Sequence, residues 1–136
     1  MTVNDSSAFM KFFLHEHGWE DVLPYLTTAS SPETVDLLVT ESATVLWKSA
    51  RTGLIEKEQV PILYSSMELL FTKGPLSLKP ASQFMAEALS IALFLDTPVY
   101  DALFIAKARS DHATLVTADR NQALCTKKYG VTAILV

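Results

Sequence analysis

Ala113-Thr114-Leu115-Val116-Thr117-Ala118-Asp119, the helix-compatible run 120–129, and then Gly130-Val131-Thr132-Ala133-Ile134-Leu135-Val136 together decide the fold. Residues 113–117 are short, apolar and partly β-branched, which predicts a strand; Asp119 is a natural helix cap, Gly130 a natural helix stop, and 131–136 a second strand. A strand that returns after a single helix lies parallel to the first, because parallel neighbours need a crossover connection. Working outward, the same alternation recurs. Residues 1–5 predict a strand, 7–14 a helix, and 19–26 an amphipathic stretch after Gly18. Pro32 falls in a predicted loop, and 36–40 form a short apolar segment leading into a helix opened by Glu41 and closed at Gly53, after Lys48 and Arg51. A helix over 56–71 carries Pro61 near its start and stops at Gly74-Pro75; 76–78 predict a brief strand, and Pro80 opens an apolar helix up to Leu95. Asp96-Thr97-Pro98 is a turn before the helix that Asp101 opens. Short apolar strands alternating with helices predict an α/β fold with a central parallel sheet buried on both faces.

The chain has 136 residues, of which 49% are hydrophobic, and this fits one domain spanning 1–136 without a linker, a repeat or a low-complexity tract. The single Cys125 forms no intrachain disulfide and is read as a packed small residue, and no Cys/His spacing matches a zinc site. No basic region precedes an apolar run at the N-terminus, and the most apolar helix, 81–95, is short for a span and carries Gln83 and Glu87, so no membrane role and a cytoplasmic location are expected. The net charge of −4 argues against indiscriminate nucleic-acid binding. A selective enzyme tolerates it, with Lys11, Lys48, Arg51, Lys107, Arg109 and Arg120 expected around the rim of its site.

Four acids stand at element boundaries: Asp5 after the first strand, Glu41 and Asp101 at helix starts, and Asp119 after 113–117. In a parallel sheet, ligands collect at the carboxyl ends of the strands, which is where Asp5 and Asp119 fall and where Glu41 and Asp101 can reach. Each acid alone is explained by capping or by the helix dipole, and Asp119 with Gln122 has the pattern of a capping box. Nothing in the periodicity alone overturns that reading; the order and context of all four do, through the family resemblance they carry. Two carboxylates about 4 Å apart repel by roughly 4 kcal/mol at an effective dielectric of 20, so a cluster calls for protons or a cation. Oxygen ligands without Cys or His select hard ions such as Mg²⁺ or Mn²⁺, which can activate a bound water.

Val3-Asn4-Asp5-Ser6-Ser7, Thr40-Glu41-Ser42-Ala43, Val99-Tyr100-Asp101-Ala102-Leu103-Phe104-Ile105-Ala106 and Leu115-Val116-Thr117-Ala118-Asp119-Arg120, in that order over nearly the whole chain, resemble the PIN-domain nucleases and, among them, VapC-like toxins of toxin–antitoxin pairs. The resemblance implies a three-layer α/β/α domain, a metal-dependent ribonuclease using Mg²⁺ or Mn²⁺, and an RNA substrate. It also implies a VapB-like antitoxin partner and a homodimer or dimer of dimers. By the same resemblance Asp5 is a central metal ligand, Asp101 and Asp119 are direct or water-mediated ligands, and Glu41 is a ligand or an orienter of the attacking water. Ser7 and Thr117 are secondary: their hydroxyls hold a water or a carboxylate, or they are a turn residue and a strand residue. Asn4 departs from the family's apolar strand residue.

Other features carry less. His15 and His17 flank Glu16, but alternate helical positions point apart, so a surface turn is the better reading. His112 reads as a loop residue, and Asp96 and Asp111 are explained by turns. Phe9, Phe12, Phe13 and Trp19 are either core or an apolar surface for a second copy or an antitoxin. Two other classes compete with the nuclease: a non-catalytic, metal-stabilised RNA-binding or regulatory module, and an aspartyl-phosphate receiver, which the four ordered motifs fit poorly.

Overall fold

The computed structural model describes residues 1–136. Five strands, β1 (Thr2–Asn4), β2 (Pro32–Val35), β3 (Ser77–Lys79), β4 (Thr114–Thr117) and β5 (Ala133–Leu135), form one sheet in the order β3-β2-β1-β4-β5. Every pairing is parallel, with Thr2 opposite both Pro32 and Thr114. The crossovers carry helices α1 (Ser6–Phe13), α2 (Leu37–Arg51), α3 (Val60–Lys73), α4 (Met85–Leu95), α5 (Val99–Ser110) and α6 (Arg120–Lys128), which flank the sheet in an α/β/α arrangement. The central strands are buried on both sides, with Val3, Leu115 and Val116 wholly enclosed, and this explains why they read as continuous apolar runs rather than alternating ones. Asn4 is also enclosed without breaking β1: its amide donates to the Tyr25 carbonyl, and its own carbonyl accepts the Thr34 hydroxyl.

The chain builds outward from β1 through β2 to β3, then returns to lay β4 on the other side of β1. The reversal opens a crevice beyond the carboxyl ends of β1 and β4. Helix α5 is the hub of the core, with every residue from Ala102 to Ala108 buried, as expected of a helix packed on all sides.

Several expectations need correction. Pro32 is the first residue of β2 and not part of a loop; that position suits a residue without an N–H. Residues 37–40 are already helical, since Asp36 precedes α2 and the helix starts at Leu37, so Glu41 lies in the second turn and owes nothing to a helix start. The amphipathic stretch expected over 19–26 takes the form of a 3₁₀ helix, Trp19–Tyr25, containing Pro24. Lys107 is not a rim cation: it is 1% exposed and pairs with Glu33 of β2 and with Asp111, the latter one turn on along its own helix. Asp111 is therefore more than a turn residue. Arg109 is also engaged, by Glu87 and the Tyr129 ring. No single helix is long and apolar enough to cross a membrane.

Candidate active site

Asp5 and Asp119 cap the helices that leave the two central strands. Asp5 is extended at the end of β1, and its Oδ1 accepts the Ala8 N–H at 3.0 Å and the Ser7 hydroxyl at 2.6 Å. Asp119 does the same for α6, accepting the Gln122 N–H at 3.0 Å. A hydroxyl pair ties the two ends together. Ser7 Oγ lies 3.1 Å from Thr117 Oγ1 and accepts the Ala118 N–H, while Thr117 Oγ1 accepts the N–H of Asp119. Ser7 directs its one proton to Asp5, and Thr117 has one proton to share between Ser7 and the Asp5 carboxyl. Both secondary residues therefore align the carboxylates.

Glu41 enters from α2, where its Oε1 accepts the Ser6 hydroxyl at 2.6 Å. Asp101 stands in the first turn of α5, and its carbonyl accepts the Gln122 side chain at 2.9 Å. The expected capping box at Asp119 is thus only half formed: Gln122 turns away from the cap and ties α6 to α5. All four acids line one cleft of about 940 Å³.

Electrostatics joins them further. The Asp5 carboxyl is pushed up chiefly by burial, with the Asp119 charge adding to the effect and hydrogen bonds from Ser7, Thr117 and Ala8 opposing it. Burial also raises Glu41, against its bond from Ser6, and the charges of Asp101 and Asp5 add to it. Asp101 is raised by burial and then by Asp119. The couplings close a ring through all four. As the side chains stand, no three Asp, Glu, His or Cys groups converge as ligands around a single point. In Asp5, Asp119 and Glu41 one carboxylate oxygen is bonded to the chain. The donor set is carboxylate and hydroxyl oxygen only, which fits a hard divalent cation.

Of the six cations expected at the rim only Lys48 lines the cleft, and residues that the sequence did not assign to the site join it there. Glu16 adds a fifth acid, delivered by the turn after α1, and Lys48 is its one basic lining residue. Ser6 and Gln122 position Glu41 and Asp101. Glu16 had no local signal, since a turn near His15, with its left-handed φ of 51°, brings it in. His15 itself stacks on Trp19 at 4.1 Å, and both His15 and His17 are exposed, as a surface turn requires. The aromatic cluster is only partly core: Phe9 is buried against Phe13 and Phe71, whereas Phe12, which meets Trp19, is half-buried, and Phe9 and Phe12 line a second, apolar cleft of about 450 Å³.

No protein-family model matches the chain. Among curated proteins it is similar to Ribonuclease VapC3 of Pyrobaculum aerophilum, with 29% identity over 121 residues, 89% of this chain and 91% of the relative. A crystal structure of PAE2754 from Pyrobaculum aerophilum superposes with a TM-score of 0.68 at 21% identity, covering 97% of this chain and 87% of the other. The chain has the PIN-domain fold. This PIN-like chain also matches the crystal structure of FitAcB from Neisseria gonorrhoeae, with a TM-score of 0.65 and 17% identity over 98% of this chain and 96% of the other. A toxin–antitoxin complex from Klebsiella pneumoniae gives 0.60 and 13% over 90% of each. The PIN-like fold accounts for the reversal at β1 and β4 and for the cleft above it.

Proposed function

We propose that this PIN-like chain is a metal-dependent ribonuclease, the toxin of a toxin–antitoxin pair. The observation that carries the reading is the gathering of Asp5, Glu41, Asp101 and Asp119 in one cleft at the carboxyl edge of the sheet, where burial and neighbouring negative charge raise the first three. The similarity to Ribonuclease VapC3 supports RNA as the substrate, and the similarity to a toxin–antitoxin complex supports a VapB-like antitoxin as the partner.

Asp5, Asp101, Asp119 and Glu41 would hold Mg²⁺ or Mn²⁺, which supplies activation of water and charge relief on the phosphate when bound. The chain's own residues do the rest. Ser7 and Thr117 keep the Asp5 and Asp119 carboxylates oriented, Ser6 fixes Glu41, and Gln122 locks α5 to α6 so that Asp101 faces the same space. Raised carboxyl pKa values mean that protons and the cation compete for the same oxygens, so cation binding weakens as pH falls.

Purified protein should cut RNA with Mg²⁺ or Mn²⁺, stop in EDTA and leave 5′-phosphate ends. Full activity in chelator, or 2′,3′-cyclic phosphate ends, would count against this chemistry. The competing reading is a non-catalytic, metal-stabilised RNA-binding or regulatory module, and RNA binding without metal-dependent turnover would establish it. A homodimer or dimer of dimers would use α4 rather than the N-terminal aromatics: Met85, Leu89, Leu93 and Phe94 lie exposed along it, the last two at 87% and 73%. An antitoxin's basic side chain would neutralise the cleft. The unpaired Cys125 suits a cytoplasmic setting.

A further inference from the structure

The acidic cleft raises a difficulty for a polyanionic substrate: five carboxylate residues line it against one lysine. That lysine, Lys48, is on α2, on the same helical face as Glu41 and Thr44, which also line the cleft. The face continues past the cleft to Arg51, about 15 Å beyond Glu41 at 1.5 Å per residue. Trp47 flanks this track. It is 54% exposed, and the Arg51 guanidinium lies over its ring at 4.5 Å. The molecule's ion pairs engage Lys79, Lys107 and Arg109 and leave Lys48 and Arg51 without an acidic partner. The helix dipole accounts for two cations in a last turn, but it does not account for a tryptophan beside them that has Arg51 over its ring and is still 54% exposed.

We propose that the C-terminal half of α2 is a single-strand track for RNA, with Lys48 binding a phosphate beside the cleft, Trp47 offering its ring to a base, and Arg51 binding the next part of the backbone. The inference rests on the ribonuclease reading and deepens it by assigning where the strand leaves the site. Unpaired cations interleaved with an exposed aromatic are the chemistry that single strands recognise, since stacking is indifferent to sequence and phosphates need positive charge. A duplex offers no free base to stack, so the track selects single-stranded RNA.

A 12-nucleotide single-stranded RNA titrated with Mg²⁺ into the Asp101→Asn chain, where the strand is bound and not cut, tests this by tryptophan fluorescence. Binding should quench the emission, and Trp47→Phe, which keeps a stacking ring, should abolish most of the quench while retaining affinity. Trp47→Ala should weaken binding about tenfold. Lys48→Ala should reduce the slope of log K against log salt by about 0.7, the share of one phosphate contact on a single strand. In the active chain the same alanine variants should raise KM for the 12-mer more than they lower kcat. If the parent binds and cuts while Trp47→Ala and Lys48→Ala change neither affinity nor slope, the track is overturned and the ribonuclease reading stands. If the parent neither binds nor cuts RNA, both fall. If Trp47→Ala keeps its RNA affinity but no longer binds a cognate antitoxin, the surface belongs to a protein and the inference is wrong.

Discussion

At the residue scale, capping and catalysis need not compete for the same acid. Asp5 uses Oδ1 to hold Ala8 and Ser7, and burial with the Asp119 charge makes its ionised form costly. Asp5→Asn keeps a capping oxygen and removes the charge, so the cation-free chain should melt at the parental temperature or above. Its Mg²⁺-induced stabilisation should disappear, and RNA cleavage should fall by at least the roughly 10–100-fold typical of losing a partner that supports a metal. Asp5→Ala removes the cap as well and should cost about 1 kcal/mol more. Thermal melts and cleavage rates on both variants check this; an Asn variant with parental metal response and parental rate would mean that no shared site exists. Protons give a second test. Asp5, Glu41 and Asp101 keep protons in the folded chain that the unfolded chain has already released, so their contribution to stability falls as pH climbs from the ordinary carboxylate range through their raised values. Without cation, the advantage of Asp5→Asn over the parent should therefore widen over that interval as pH rises, and Mg²⁺ should narrow it. A gap that is constant with pH would place Asp5 outside the charge cluster.

At the element scale, α5 does two jobs. Its first turn presents Asp101, and its middle is fastened to the sheet by Lys107, whose ammonium sits between Glu33 of β2 and Asp111. Removing one partner of an enclosed ion pair leaves the others unbalanced, which typically costs 3–5 kcal/mol when they are fully buried. Glu33 and Asp111 retain some exposure and Glu33 has Lys79 as a second partner, so Lys107→Met should cost less, about 2–3 kcal/mol in urea denaturation. Adding Asp111→Asn should recover part of the loss; a Lys107→Met chain within about 0.5 kcal/mol of the parent would show that α5 is held by apolar packing alone.

At the scale of the whole molecule, α4 carries an apolar stripe that the subunit leaves largely exposed, Phe94 alone among its members meeting an aromatic of the same subunit, Tyr129. A surface Leu93→Asp change should leave the folded subunit within about 0.5 kcal/mol of the parent, because Leu93 makes little of the core. If α4 is the isologous contact, light scattering should show the parent as a dimer or a multiple of it and Leu93→Asp as a monomer. A parent that is monomeric at high micromolar concentration would rule out self-association as the reason for the stripe.

Local signals carry much of this protein. The strand–helix–strand alternation from Ala113 to Val136, the caps at Asp5 and Asp119, and the stops at Gly53 and Gly130 are set by neighbours a few residues away, so they are written in the sequence and appear in the structure close to where local chemistry puts them. The start of α2 is ambiguous in the sequence because Leu37, Leu38 and Val39 are apolar in either a strand or a helix, and the burial that separates the two comes from distant elements. Strand order is also non-local: only the return of β4 beside β1 brings Asp119 within the electrostatic reach of Asp5, and only the crossing of α2 over α1 lets Ser6 hold Glu41. Asp111 lies one turn from Lys107 and that pairing is local, but only tertiary structure set Glu33 of β2 against the same ammonium and took Lys107 out of the rim, and it alone brought Glu16 to the cleft, because neither a partner on a distant strand nor the aim of a turn is encoded in the residues beside it.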